Sequence, residues 1–201
     1  VRIEPRIFRN AFPSFSPQQQ RSLAEYYEFK KAEAGRVAGL EAQAFVFEPK
    51  DGLRYGHKFW SDAATGLLLK ARVLNERSEP IEQFAFSDLT INARIERSMV
   101  EPSWPVVPPD WKMLESAAGD VVQQATGWKV ARMPPGFEKI MEGFRKLRGR
   151  RERVAHLVYS DGLVSISVFI EPLASGAAPA GFLQKGGLNV YSVKQDDYLI
   201  T

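Results

Sequence analysis

The chain of 201 residues has no cysteine and only two histidines. Without cysteine it cannot form disulfide bonds, thiolate nucleophiles or cysteine-based metal sites, although this does not decide the redox compartment. No apolar run approaches the roughly 18 residues that a membrane-spanning helix needs. The chain also does not open with the basic and then apolar segments of a signal peptide. Its function must therefore be sought in side chains other than thiols.

The chain also has little net charge. The 27 basic and 24 acidic residues give a net charge of +3, so the pI of about 9.1 reflects a narrow excess. Because a nucleic-acid binder usually presents a strongly basic face to the phosphates, we expect no nucleic-acid partner. The hydrophobic share of 44% and the aromatic share of 11% suffice for a sizeable core in one large or two small domains.

Catalytic and metal-binding patterns are missing as well. Ser160, Asp161 and His156 are close in sequence, but no serine lies in a nucleophile-elbow context. Neither His156 nor His57 has a partner at metal-ligand spacing, and no nucleotide-binding glycine motif is present. We therefore expect no catalytic residue, no metal site, no cofactor and no enzymatic activity.

What the sequence does contain is a succession of strands. Turn residues separate five candidate strands, at 26–31, 40–48, 53–61, 67–74 and 81–89. The short connections predict an antiparallel meander, because parallel strands would need long crossovers. A short helix is predicted over 16–25, with Ser16 as its N-cap and Pro17 in its first turn.

A proline-rich segment divides the chain. Four prolines fall within 101–109, where they prevent a regular helix or a central strand. We therefore predict a first domain at 1–100, a linker at 101–109 and a second domain at 110–201. A helix starting at Trp111, capped by Asp110, is expected to open the second domain.

The second domain contains a clear hairpin at 156–172. Asp161-Gly162 suits a two-residue turn, and alternating apolar residues follow it. Upstream, apolar residues over 137–147 fit helical spacing, which predicts a helix there. A further strand is expected around 188–193.

Two sets of side chains are candidate binding sites. Large apolar groups on both faces of the meander could line a cavity for an acyl chain, although an ordinary core is the alternative. These lipid-cavity candidates are Phe45, Phe47, Phe59, Leu67, Leu69, Phe84 and Phe86. A basic run over 145–153 could recognise an anionic partner, although a solvated loop is the alternative. Its partner-binding candidates are Arg145, Lys146, Arg148, Arg150, Arg151 and Arg153.

Several motifs occur in the order found in one known family. They are the 156–172 hairpin, Trp128-Lys-Val-Ala-Arg-Met-Pro-Pro-Gly-Phe137, Arg36-Val-Ala-Gly39, the segment 48–60, Thr65-Gly-Leu-Leu-Leu-Lys70 and Glu82-Gln-Phe-Ala-Phe86. Together they cover nearly all of the chain after about Tyr26. The sequence resembles the RseB/MucB family of periplasmic negative regulators of sigma-E. The resemblance implies extended chain just after the Pro-Gly-Phe at 135–137, in place of the helix.

The resemblance also implies a fold and a function. The fold would be α+β and mainly antiparallel β: a partial half-barrel like that of the LolA/LolB lipoprotein carriers, then a smaller α+β domain. The chain would begin inside the first domain, with a periplasmic signal peptide upstream. Such a protein binds the periplasmic domain of the anti-sigma factor RseA/MucA, protects it from site-one proteolysis and is released by a lipid or lipopolysaccharide signal. A lipoprotein or lipid carrier is the alternative, and a homo-oligomer is left open.

Overall fold

A computed structural model describes residues 2–3, 17–101, 112–113, 121–147, 152–173 and 180–201. These residues form fourteen strands and two helices. In chain order they are β1 Arg2–Ile3, α1 Pro17–Tyr26, β2 Tyr27–Val37, β3 Leu40–Pro49, β4 Gly56–Asp62, β5 Leu68–Leu74, β6 Pro80–Ala85, α2 Arg97–Val100, β7 Lys112–Met113, β8 Val121–Gln123, β9 Glu138–Lys146, β10 Arg153–Ser160, β11 Ser165–Pro172, β12 Gly181–Lys185, β13 Leu188–Gln195 and β14 Tyr198–Ile200.

The first half of the chain is a five-stranded antiparallel meander in the order β2-β3-β4-β5-β6. Consecutive strands are neighbours because short turns connect them. The helix α1 leads directly into β2. The core cluster of the five-stranded sheet lies on one of its faces and consists of Val37, Ala42, Ala44, Trp60 and Leu69.

The second half is a seven-stranded antiparallel sheet in the order β12-β13-β14-β11-β10-β9-β8. Its core is centred on β10, where Leu157 is fully buried. Trp128 packs edge-on against Tyr198 with ring centroids 4.8 Å apart. Both sheets are open, and the short β1 and β7 pair in parallel. The prediction of an α+β fold built mainly from antiparallel strands is therefore confirmed.

Two predicted helices are wrong where the structure describes them. The segment 138–146 is strand β9, because β10 and β8 pair with it on both sides and satisfy its backbone groups. Its apolar spacing fits either period over so short a run. The helix expected from Trp111 is not present at Lys112 and Met113, which form β7, and most of the predicted linker lies outside the described residues.

The hairpin at 156–172 turns one residue later than expected. The amide of Asp161 donates to the carbonyl oxygen of Val164 at 3.2 Å, so Gly162 and Leu163 are the central pair, with Gly162 at φ +101°. The turn shifts because Oδ1 of Asp161 accepts from the amides of Leu163 and Val164 at 2.9 and 2.8 Å. The side chain of Asp161 thereby shapes the turn.

A substitution at Gly143 of β9 tests how closely strands β8 and β9 of the second sheet approach each other. A Cβ at Gly143 would lie 2.4 Å from the carbonyl oxygen of Val122 in β8. We expect Gly143→Ala to lower the free energy of unfolding by about 1–3 kcal/mol through overpacking. Gly35→Ala, in β2 with nothing within 4 Å, is the matched control and should be neutral or slightly stabilising. Urea unfolding of both variants measures the difference, and equal effects would contradict the packing.

Candidate functional site

A buried ion pair joins the five-stranded sheet to the seven-stranded sheet. Arg54 lies in the loop between β3 and β4, and Asp161 directly follows β10. Nη1 of Arg54 donates to Oδ2 of Asp161 at 2.8 Å, and the two side chains are 0% and 1% exposed. Charges withdrawn this fully from water are tolerated only when they are paired and hydrogen-bonded. The ion pair therefore ties one end of the first sheet to the turn of the second.

The other nitrogens of Arg54 also have acceptors. Nη2 donates to the carbonyl oxygen of Pro135 at 2.7 Å, and Nε donates to Oδ1 of Asp51 at 3.2 Å. Burial by itself lowers the pKa of Arg54, but the hydrogen bond and charge of Asp51 and the charge of Asp161 outweigh burial and raise it. The guanidinium is therefore a permanent cation that contacts both halves of the molecule.

Three aromatic rings surround this guanidinium. Its Cζ lies 4.9 Å from the ring centroid of Tyr26, 5.2 Å from that of Phe137 and 5.6 Å from that of Tyr27. A guanidinium is weakly hydrated and stacks well on such rings. Tyr26 and Tyr27 belong to the first half of the chain and Phe137 to the second, so both halves build the enclosure. We call Arg54, Asp161, Tyr26, Tyr27 and Phe137 the junction.

Tyr27 completes the hydrogen bonding of the junction. Its hydroxyl donates to Oδ2 of Asp161 at 2.8 Å. Burial, and next the negative charge of Asp161, raise the pKa of Tyr27, so the hydroxyl keeps its proton and remains a donor. Since Oδ1 of Asp161 already accepts two amides of the turn, both carboxylate oxygens are engaged.

The two sheets also meet outside the ion pair. Gly136 has φ +82°, and a Cβ there would lie 2.3 Å from the ring of Tyr26, so no larger residue fits without a shift. At the β12–β13 hairpin, Nδ2 of Asn189 donates to the hydroxyl of Tyr55 at 2.7 Å. These contacts surround the buried pair with further points of attachment.

A row of aromatic rings lies on the sheet face that also carries Tyr27. Phe29 stacks on Phe45 with centroids 5.3 Å apart and meets the edge of Phe47 at 5.2 Å. Phe47 packs against Phe59 at 5.4 Å. Phe59 is buried, whereas Phe29 is 58% exposed. We call these four rings the aromatic face, which is apolar surface of the kind that binds lipids or partner proteins.

The structure does not place the predicted lipid-cavity residues on a single surface. Phe45, Phe47 and Phe59 belong to the aromatic face, and strand register places Phe84 on the same side of the sheet. The other three lie elsewhere. Leu67 precedes β5 and is 43% exposed, while Phe86 follows β6 and donates its amide to the carbonyl oxygen of Leu69 at 3.0 Å. The cavity itself stays a prediction.

Leu69 lies on the face opposite Phe59 and Ala71, although strict alternation along β5 would place it on the same side as Ala71. Trp60 of β4 pairs with Lys70, whereas the next residue, Ser61, pairs with Leu68. The extra residue in β5 forms a bulge that reverses the alternation. Leu69 is therefore fully buried in the cluster that contains Trp60.

The basic run surrounds the β9–β10 connection. Arg145 and Lys146 end β9, and Arg153 begins β10 directly opposite Lys146. Arg148, Arg150 and Arg151 lie outside the described residues. Like charges opposite each other across strands are destabilising, so this end of the hairpin concentrates positive charge. Its role in binding a partner stays a prediction.

Both histidines are buried. His57 lies at the junction end of the aromatic face, 5.7 Å from Phe59, and His156 stacks on Phe169 at 4.2 Å. Nε2 of His57 and both ring nitrogens of His156 have no hydrogen-bond partner among the described residues. Burial lowers the pKa of each to about 4; the charge of Asp161 opposes this for His57, while Arg145 reinforces it for His156.

The described residues contain no group of three or more His, Asp or Glu side chains placed to hold a metal ion. None of their helices is both long and apolar enough to cross a membrane.

Sequence reasoning missed the junction and Phe29. Arg54 and Asp161 are 107 positions apart, and nothing local marks them as partners. Phe29 had a usable signal, because alternation along its strand places it on the same side as Tyr27. The motif 48–60 and the hairpin at 156–172, which carried the family resemblance, turn out to contain the two halves of the ion pair.

Two open antiparallel sheets joined through a buried polar junction define a β-rich protein of two parts, with an apolar and a basic surface. Residues 1–104 match the MucB/RseB N-terminal domain, and residues 122–201 match the MucB/RseB C-terminal domain. The chain therefore belongs to the MucB/RseB family, which confirms the resemblance inferred from its motifs.

Relatives named in this family are regulatory proteins. The chain is 33% identical over 159 residues to the sigma factor AlgU regulatory protein MucB of Pseudomonas aeruginosa, covering 79% of this chain and 48% of that protein. It is 27% identical to the sigma-E factor regulatory protein RseB of Haemophilus influenzae, covering 91% of this chain and 56% of that protein. The chain thus spans about half the length of the curated relatives it matches.

Solved structures agree with these relationships. A crystal structure of MucB in complex with MucA(peri) matches with a TM-score of 0.67 and 29% identity, covering 89% of this chain and 62% of that one. The complex of Pseudomonas aeruginosa MucA/MucB matches with a TM-score of 0.68 and 30% identity, covering 92% and 61%.

Asp161→Asn tests the ion pair. The change preserves shape but removes the charge, which leaves Arg54 buried with the partly exposed Asp51 as its remaining counter-charge among the described residues. We expect the free energy of unfolding to fall by about 3–5 kcal/mol, the range for breaking a buried pair. Glu101→Gln breaks the Arg97–Glu101 pair, which is 91% and 55% exposed, and should cost less than about 1 kcal/mol. Similar losses in the two variants, measured by urea unfolding, would contradict this account.

The buried histidines predict a pH dependence. Folding lowers the pKa of His57 from 6.5 to about 4, so the unfolded chain takes up its proton first. The resulting stability, about 3 kcal/mol, is complete above about pH 6.5 and is lost as the pH falls towards about 4. His156 acts in the same direction. We expect His57→Phe to flatten the decline in unfolding free energy across this window, and an unchanged slope would contradict the assignment.

Proposed function

We propose that this protein is a periplasmic negative regulator of the envelope stress response that binds the periplasmic domain of a membrane anti-sigma factor. The observation that carries this proposal is membership of the MucB/RseB family along both halves of the chain. The similarity to structures of MucB bound to MucA supports the choice of partner. Binding would keep the anti-sigma factor away from the site-one protease.

The junction supplies a physical basis for this activity. A partner that contacts both sheets binds tightly only if their relative orientation is set in advance, because ordering them on binding costs free energy. Arg54 and Asp161 set that orientation through a pair with almost no exposed surface. The protein therefore presents a surface drawn from both sheets as one unit.

Release by a lipid signal is the regulatory half of the proposal. The aromatic face presents Phe29, 58% exposed, beside the buried Tyr27 and His57 of the junction end. A lipid that binds the partner-free arrangement more tightly lowers the affinity of the protein for its partner. The partner lowers the affinity of the protein for the lipid by the same coupling free energy. An acyl chain on the aromatic face would lie close enough to the junction to favour one arrangement.

The basic hairpin end is our candidate for the partner contact. Lys146 and Arg153 are exposed and directly opposed across β9 and β10. An acidic segment of the anti-sigma factor placed between them would relieve their repulsion and gain charge-assisted hydrogen bonds. Such contacts affect the association rate most strongly at low salt.

Titration calorimetry with the purified anti-sigma periplasmic domain tests whether the protein binds this domain and whether the basic hairpin end makes the contact. We expect a stoichiometric complex, weakened about tenfold or more by combined Lys146→Glu and Arg153→Glu, since each reversal loses a charge-assisted contact. Lys194→Glu, a single charge reversal on exposed β13 of the same sheet, is the control and should bind as before. Undiminished affinity in the double variant would reject the basic hairpin as the contact, and absence of any complex would reject the regulatory function.

A second candidate function is lipid or lipoprotein carriage, which the partly exposed aromatic face specifically favours. The same calorimetry separates the two. A carrier ignores the anti-sigma domain and retains acyl chains through purification, whereas a regulator binds that domain stoichiometrically.

A further inference from the structure

The sheet face opposite the aromatic face gathers three cations around one indole ring. Nζ of Lys70 lies 4.5 Å from the ring centroid of Trp60, Nζ of Lys58 lies 5.1 Å from it, and Cζ of Arg72 lies 5.2 Å from it. Strand register explains this convergence, because Lys58 is opposite Arg72 and Trp60 is opposite Lys70 in the β4–β5 pair. Trp60 is only 6% exposed, so the cations lie over a buried ring.

The carboxylate of Glu33 balances these three charges only in part. Lys58 has Glu33 at 2.7 Å, but Nε of Arg72 donates to the neutral side chain of Gln83 at 2.6 Å. Lys70 has no carboxylate within salt-bridge distance in the described part of the chain, and the three cations are half-buried. Burial, and next the positive charges of Arg72 and Lys58, lower the pKa of Lys70. The cluster therefore carries two positive charges beyond its one carboxylate.

Covering the tryptophan does not account for this arrangement. A single cation over an indole gives the cation–π contact, and additional cations add repulsion. Like charges opposite each other in a sheet are destabilising, as Lys58 and Arg72 are here. A multiply charged anion between them would reverse the sign of these interactions. Lysine ammonium groups and an arginine fork offer several donors to one group of oxygens, which is the chemistry that binds phosphate.

We propose that Lys58, Lys70 and Arg72, above Trp60, form a binding site for a phosphate-type oxyanion. The oxyanion is either free phosphate or the phosphate of a lipid headgroup. Because the site lies on the face opposite Phe45 and Phe59, it is separate from the aromatic face. It does not depend on anti-sigma binding, so either proposal can fail while the other stands.

The indole N–H resonance of Trp60, followed by NMR during titration with inorganic phosphate at constant ionic strength, reports directly on the site. We expect a saturable shift with phosphate that chloride does not produce. Lys70→Gln should weaken phosphate binding about tenfold, the size of one charge-assisted hydrogen bond. Since this variant also removes repulsion, its thermal midpoint should be at least that of the parent, which shows that it has folded.

Lys30→Gln is the matched control. Lys30 lies on the same sheet face but is paired with Glu48 at 2.5 Å and Glu28 at 3.3 Å, so its loss should leave phosphate affinity unchanged. Absence of a saturable shift, or equal weakening by Lys30→Gln and Lys70→Gln, would overturn the proposal.

Vesicles distinguish the two sources of phosphate. A lipid headgroup is supported if the protein sediments with phosphatidylglycerol vesicles but not with phosphatidylcholine vesicles. Lys70→Gln and added inorganic phosphate should each abolish this sedimentation. Phosphate binding without vesicle binding supports a soluble anion. The proposed site would be overturned if the protein binds no phosphate in solution and its vesicle binding persists both in Lys70→Gln and in the presence of phosphate.

Discussion

Burial of the Arg54–Asp161 ion pair is the constraint on which the arrangement of the two sheets depends. With side chains 0% and 1% exposed, neither charge can turn to water without opening the contact between the sheets. Tyr27 and the turn amides use the remaining acceptor sites of Asp161, while Asp51 and Pro135 use the other donors of Arg54. Buried charges that lose one partner cost far more than an apolar contact of the same size. The junction should therefore hold together or fail as a unit.

The surfaces proposed for function are arranged around this junction. The aromatic face runs from Tyr27 and His57 towards the exposed Phe29, so a ligand there lies on the same side as the ion pair. The basic end of the β9–β10 hairpin belongs to the second sheet, whose turn supplies Asp161. A change at either surface can bias the other only through a shared two-state element. The junction links the two sheets directly, and we expect any such coupling to pass through it.

Much of the fold could be predicted from the sequence, because strand and turn signals are local. The meander and the hairpin at 156–172 follow from Gly, Pro and Asp placed between β-rich runs. Three features could not be predicted in this way. The pairing of Arg54 with Asp161 joins residues 107 positions apart, and charged loop residues are ordinarily exposed. The bulge before Lys70 moves Leu69 to the other face by a single extra residue. The segment 138–146 is a strand because neighbours pair on both of its edges.

The junction makes the two sheets one cooperative body, and native-state hydrogen exchange tests this statement most directly. Slowly exchanging amides of Phe59 in β4 and Leu157 in β10 should report the same opening free energy in the parent protein. In Arg54→Met, which removes the guanidinium, the two values should separate as each sheet opens independently. Values that already differ in the parent, or that stay equal in the variant, would contradict the account.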